Sequence, residues 1–264
     1  MSVFLAYHFS PAKRAERASV RLQDAGADVF YDFQRQVSPE DSPSYSTRVA
    51  PPGPSVRKVV GEGFFQNAEK IVLNDKPVSV DDVRSLYDLP SVRRLTMNNC
   101  ELGDDHVGAL RGLPELESFV AKDNSITDVG LAHLSELRNL TYISLSRNSI
   151  SGTGFKGFSS PKLVELVLYD NPISDEGLSE IARLTSLKQL GLSRTAVTDE
   201  GISQLANLTS LEYISLNKLD VTDKALVTLQ KLPALRRIEL HGTKVTLDGI
   251  AALKAALPEC EVTH

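Results

Sequence analysis

Covalent catalysis needs an activated nucleophile, a tuned acid or base, or a metal cage, and this sequence offers little toward any of them. It contains five histidines and two cysteines. His106 and His133 fall in segments that read as helical, His264 is terminal, and His8 lies near the start. Only His241 shares a strand face with a carboxylate, Glu239 two residues away, and a single pair of that kind does not make a catalytic constellation. The spacings HExxH, GxSxG and CxxC and the phosphate-binding P-loop are absent. The reading is a protein that is not an enzyme, with no metal site and no cofactor. Non-covalent chemistry is better supplied. Tyr142, Tyr169 and Tyr213, with Arg147, Arg194 and Arg237, belong to the residue types that dominate protein interfaces, and Glu165, Asp170, Gln189, Lys218, Glu239 and His241 recur in step with them.

That step is a repeat. Aligned on Leu187, Leu190 and Leu192, the same skeleton returns at Val92, Leu116, Leu140, Leu163, Leu211 and Leu235, with a degenerate first copy at Ala68. The interval is 24 residues everywhere but once. Within the unit 187–210, LKQLGLSR alternates apolar and polar residues as a short strand with one wet face. Thr198-Asp199-Glu200 then supplies an N-cap and two carboxylates at a helix start, and Ile202, Leu205 and Leu208 make an inward stripe for a short helix or 3₁₀ turn. One coil cannot bury its own leucines, so the coils must stack and their strands must pair in parallel.

The skeleton LxxLxLxxN/TxIxDxGLxxLxxL resembles the leucine-rich repeat of the TDxGL kind found in bacterial proteins and in ribonuclease-inhibitor-like folds, over residues 68–258. The resemblance implies an α/β solenoid, a curved right-handed superhelix with a parallel sheet on the concave side and short helices on the convex side. It implies a protein or peptide partner held on that sheet. An adaptor or effector of a ubiquitin-ligase-like system is a second implication, because F-box proteins and bacterial effectors use similar repeats. Four positions per unit are expected to face outward from the concave sheet, 32 in all, against roughly 20–30 residues per side in a standard interface. The tyrosines fall near the middle of this face, around the dent left by Gly191. Numbering rows by position within the unit, with Leu187 as the first, the eighth row holds Asp123, Arg147, Asp170 and Arg194, which alternate in sign and are expected to pair with one another.

Outside the repeats, the division expected is a cap and linker over 1–67, eight repeats over 68–258 and a closing strand over 259–264. Ser10-Pro11 starts a helix that Gly26 stops; Ala15, Ala18, Leu22 and Ala25 give it a narrow apolar stripe. ADVFYDFQ reads as a strand, and the two together should cover the first edge of the core. Residues 35–54 read as a proline-rich linker, and 55–66 as ordered chain packing Val59, Val60, Phe64 and Phe65 under the first repeat. This whole leader resembles the segment that precedes repeats in the same bacterial family. A shorter resemblance, of VFLAYHFS, the helix and ADVFYDF to the first elements of TIR domains, would imply consumption of a nicotinamide cofactor. The unit at Leu140 is one residue short and rich in glycine, so a tight loop filled by Phe155 and Phe158 is expected in place of a helix.

The formal charge is −5, with 21 basic and 27 acidic side chains from residue 68 onward. Such a balance excludes nucleic acid as a ligand and accommodates a basic or neutral partner. Cys100 and Cys260 would lie roughly 33 Å apart along the stack, far beyond disulfide reach, so both read as small buried thiols. No apolar run is long enough to cross a bilayer and no basic segment opens a signal peptide. A cytoplasmic monomer is the expectation, or a tethered or exported protein if the natural N-terminus is longer.

Overall fold

The computed structural model describes residues 11–31 and 68–264. The readings placed on 35–54 and 55–66, the Ser10 cap and His8 lie outside the described residues. Ten strands form one sheet in sequence order, β1 (Asp28–Tyr31), β2 (Ala68–Asn74), β3 (Arg94–Asn98), β4 (Ser118–Val120), β5 (Tyr142–Ser144), β6 (Glu165–Val167), β7 (Gln189–Gly191), β8 (Tyr213–Ser215), β9 (Arg237–Glu239) and β10 (Glu261–Thr263). Every neighbouring pair from β2 to β10 is parallel and in the register that the repeat dictates, Leu166 beside Leu190 and Leu190 beside Ile214. Each coil crosses back through a short convex helix, and Leu190, Leu192, Ile202, Leu205 and Leu208 are fully buried. This is the α/β leucine-rich repeat solenoid, with its sheet on the concave side.

The leader joins that sheet. Helix α1 (Pro11–Asp24) buries Ala15, Ala18 and Leu22, and Gly26 ends it at φ +94°, the left-handed geometry a helix stop favours. Strand β1 then pairs antiparallel with β2. Arg14 and Arg21 tie α1 to the first coil through Asp88 at 3.3 Å and Asp82 at 2.7 Å. Helix and strand thus cover the first edge of the core, as the apolar stripe requires. The short unit contains no α-helix: a single 3₁₀ turn (Thr153–Phe155) replaces it. Phe155 and Phe158 fill the space edge to face, with ring centroids 5.2 Å apart.

The Thr-Asp pair of the repeat does more than cap. Thr127, Thr198 and Thr222 accept from the amide two residues on, opening helices α2 (Asp128–His133), α3 (Asp199–Ser203) and α4 (Asp223–Leu229). The aspartate reaches forward to the next coil. Asp199 accepts the Thr222 backbone N–H at 2.8 Å and its hydroxyl at 2.7 Å, and Asp104 and Asp175 do the same for Thr127 and Thr198. These coils, and those of Asp128 and Asp223, are stapled to their successors at a constant offset of 23 residues. Cys100 and Cys260 are both buried and unbridged.

Candidate functional site

Two corrections apply to the concave face. The eighth-row residues leave the sheet: Asp75, Asn99, Asp123, Arg147, Asp170, Arg194, Lys218 and Gly242 all have φ between 52° and 69°. The chain turns left-handed there to start its next bend, so these side chains stand along a rim. In addition, the middle of the sheet is not a set of freely outward residues. Ser144, Ser146, Ser193 and Ser215 are at most 9% exposed, and Tyr142 and Tyr213 meet the hydroxyls of Ser144 and Ser215.

The cover is built diagonally. Tyr169, in the seventh row, places its ring over Gly191 of the next coil; a Cβ at Gly191 would lie 2.5 Å from the Tyr169 Cε1 atom. The ring therefore fills the dent, and its hydroxyl meets that of Tyr213, which belongs to the coil beyond. Burial pushes the Tyr142 and Tyr213 phenols up, so both stay neutral donors at any ordinary pH. Tyr142, Tyr169 and Tyr213 are all half-buried, with tyrosine faces and edges left to solvent.

A polar network adjoins this cluster. The Ser193 and Ser215 hydroxyls share a 2.6 Å bond. The Ser215 hydroxyl and the Asn217 amide donate to Glu239 Oε2 at 3.0 and 2.9 Å. Arg237 donates to Glu239 Oε1 at 3.1 Å while its guanidinium carbon lies 5.8 Å from the Tyr213 ring centre. Burial opposes ionisation of Glu239, but these donors outweigh it and hold its carboxyl below the ordinary range. His241 contributes its backbone N–H to Asn217 and its ring is exposed, so the pair with Glu239 is not an acid-base couple. On the rim, Arg147 bridges Asp123 at 3.2 Å and Asp170 at 3.8 Å, and Asp170 meets Arg194 at 3.3 Å; the expected alternating ladder forms. Lys218 stands beside it and forms no ion pair among the described residues.

Together Arg147, Tyr169, Asp170, Arg194, Lys218, Glu239 and His241 line a shallow cleft of about 420 Å³, floored by Ser193, Ser215 and Asn217. The structure brings these site residues together. It sets Tyr142, Glu165, Gln189 and Arg237 along the third row beside the cleft, Gln189 and Arg237 exposed and Glu165 half-buried. The serine and asparagine floor escaped sequence reading, although small residues set against large ones at matching rows were the available signal. Among the described residues no three histidine, cysteine or acidic side chains converge as a metal cage, and no helix is long and apolar enough to cross a membrane.

The pattern of Zer-1-like leucine-rich repeats matches residues 131–258, and a general leucine-rich repeat pattern matches residues 90–150. No match was found among curated proteins. Among solved structures, an internalin from Listeria monocytogenes is 20% identical over 71% of this chain, with a TM-score of 0.51. Internalin C2 of the same organism is 23% identical, covering 72% of this chain and 69% of its own, with a TM-score of 0.44. The chain spans 58% of the length of the first internalin, and at that identity the likeness concerns the fold.

Proposed function

Since the chain belongs to the leucine-rich repeat proteins, whose repeats are protein-interaction modules, we propose that it binds a protein or peptide on its concave sheet, without catalysing a reaction. The observation that carries this reading is the tyrosine cluster: three half-buried rings on a rigid, hydrogen-bonded sheet, beside a polar cleft. Anchors of that kind lose little entropy on binding, because neighbours already hold them. Partly desolvated tyrosines amid polar contacts are also the composition of interface hot spots. The non-enzymatic part rests on the carboxylates. Glu239 and Asp170 are each engaged by several donors, which suits positioning rather than proton transfer.

The test is a crosslinking pull-down from native lysate, comparing wild type with the triple variant Tyr142→Ala/Tyr169→Ala/Tyr213→Ala. At about 2 kcal/mol or more per hot-spot side chain, the triple variant should lose the partner while its circular dichroism stays native. Retention of the same partner would move the binding site off the concave face. A recognition adaptor in a ubiquitin-ligase-like system would use the same surface, and co-capture of a ligase subunit with the partner would favour that narrower role.

A further inference from the structure

The concave rows hold five carboxylates among the described residues, and four of them have partners. Asp75 accepts from the Asn99 amide at 3.0 Å, Asp123 and Asp170 meet arginines, and Glu239 meets Arg237, Ser215 and Asn217. Glu165 has neither an ion pair nor a side-chain hydrogen bond. It is half-buried in β6, with Tyr142 on β5 and Gln189 on β7 as its register neighbours, about 4.8 Å away on each side. On the same face of β5, Ser144 is fully buried and its hydroxyl meets that of Tyr142. This corner therefore holds a half-buried carboxylate with unused hydrogen-bonding capacity, next to an aromatic ring.

The same sheet shows what completes such a corner. Three strands on, Tyr213 pairs in register with Arg237, whose guanidinium lies over the ring and donates to Glu239. Ring, guanidinium and carboxylate make a closed set there. At Tyr142 and Glu165 the ring and the carboxylate are present and the cation is missing. A planar guanidinium suits both, since it stacks on an aromatic face and forks onto a carboxylate, whereas an ammonium does only the charge part.

We propose that the corner formed by Tyr142 and Glu165 is a subsite for an arginine side chain of the bound partner, completing there the ring, guanidinium and carboxylate set that Arg237 completes at Tyr213. The inference rests on the concave face being the binding face. It gives that face a chemical preference: the partner segment presents an arginine at the centre of the sheet.

The experiment is NMR of the full chain with labelled tyrosine rings and glutamate carboxyls. The probes are acetyl-Gly-Arg-Gly-amide and its lysine and citrulline counterparts, applied to wild type and to Glu165→Gln. Glu165 makes no bond that the amide would break, so the variant keeps the fold, which circular dichroism verifies. The arginine peptide should shift Tyr142 and the Glu165 carboxyl saturably, leave Tyr213 unmoved, and bind about tenfold more weakly to Glu165→Gln, as should citrulline to wild type. Equal binding of citrulline, no loss in Glu165→Gln, or no response at Tyr142 overturns the proposal. Lysine binding as well as arginine overturns the choice of guanidinium. A natural partner captured in a tyrosine-dependent way but indifferent to Glu165→Gln sinks the subsite and leaves the binding face standing. Capture indifferent to the tyrosines sinks the binding face itself.

Discussion

Residues are where stability and recognition pull in opposite directions, and Glu165 is the clearest instance. Burial alone raises its carboxyl above the usual range, so ionising it costs the folded state more than the unfolded one. The sign follows: the folded protein is favoured while the group is protonated, and that advantage is lost as pH rises through the unfolded and then the folded value. Glu165→Gln should therefore melt higher than wild type at neutral pH, with the gap closing below about pH 4, near the ordinary glutamate range. Differential scanning calorimetry at the two pH values reads this directly, and a variant less stable at neutral pH would show that Glu165 is paired in the folded protein. The residue types of the site were legible in the sequence; their poses were not. Tyr169 was read as a ring beside the Gly191 dent, whereas it lies across the dent to meet Tyr213. A seventh-row side chain leaning diagonally over two coils is invisible to an alternation of inward and outward positions. Left-handed residues are half hidden in the same way. Asp75, Asn99, Asp123 and Asp170 tolerate that geometry, but Arg147, Arg194 and Lys218 adopt it as well, for the repeat imposes it whatever the side chain.

The convex elements are ordered less by their own propensity than by contacts from the preceding coil. An isolated helix of six residues is unstable in water, and the convex helices are about that long. The aspartate staple supplies what they lack, and Asp128 shows its strongest form. It accepts from the Ser151 amide and hydroxyl and from the Gly152 and Gly154 amides, all within 3.0 Å. Burial works against its charge, but these four donors prevail and hold the carboxyl below the ordinary range. The glycine-rich short unit thus draws its order from its neighbour: Gly154 could not carry a Cβ, which would lie 2.5 Å from the Asp128 carbonyl oxygen. Asp128→Ala strands several amides at once and should cost about 2–3 kcal/mol in urea denaturation, the scale for hydrogen bonds to a charged group. Asp128→Asn, which keeps one acceptor oxygen, should recover part of that. A loss below about 0.5 kcal/mol for the alanine variant, within the range of ordinary surface substitutions, would mean that water replaces the carboxylate. Sequence reading found Thr-Asp as a cap and missed the staple, although the constant spacing from each aspartate to the next threonine carried it. The cue lay between coils, and a cap motif is read within one.

Across the whole molecule the repeat was legible because stacking turns one periodic pattern into one continuous core, so each leucine could be placed by its row. What the period leaves open is how firmly each coil is held, since the polar residue of the ninth row changes along the chain. Asn124 accepts the Leu102 amide at 2.9 Å, Asn148 the Ile126 amide at 3.0 Å and Asn171 the Ile150 amide at 3.2 Å. Each asparagine also donates inward, as Asn171 does to the Leu145 and Leu168 carbonyls. The next coils carry Thr195, Leu219 and Thr243 in that row, and the two threonine hydroxyls bond only groups of their own coil, the Leu192 carbonyl for Thr195 and the Leu240 carbonyl and Val245 amide for Thr243. The equivalent amides of Ile173, Val197 and Val221 thereby lose the side-chain acceptor from the following coil. In a stack where each coil is stabilised mainly by its neighbours, the half bearing the asparagines should open last. Amide exchange provides a matched comparison within one molecule: Leu102, Ile126 and Ile150 should exchange about fivefold more slowly than Ile173, Val197 and Val221, the effect of one net hydrogen bond of about 1 kcal/mol. Asn148→Thr should bring Ile126 toward the faster group while leaving Leu102 unchanged. Equal protection of the two sets would show that the leucine rows alone set the opening energy, and that the asparagine ladder serves only to satisfy buried carbonyls.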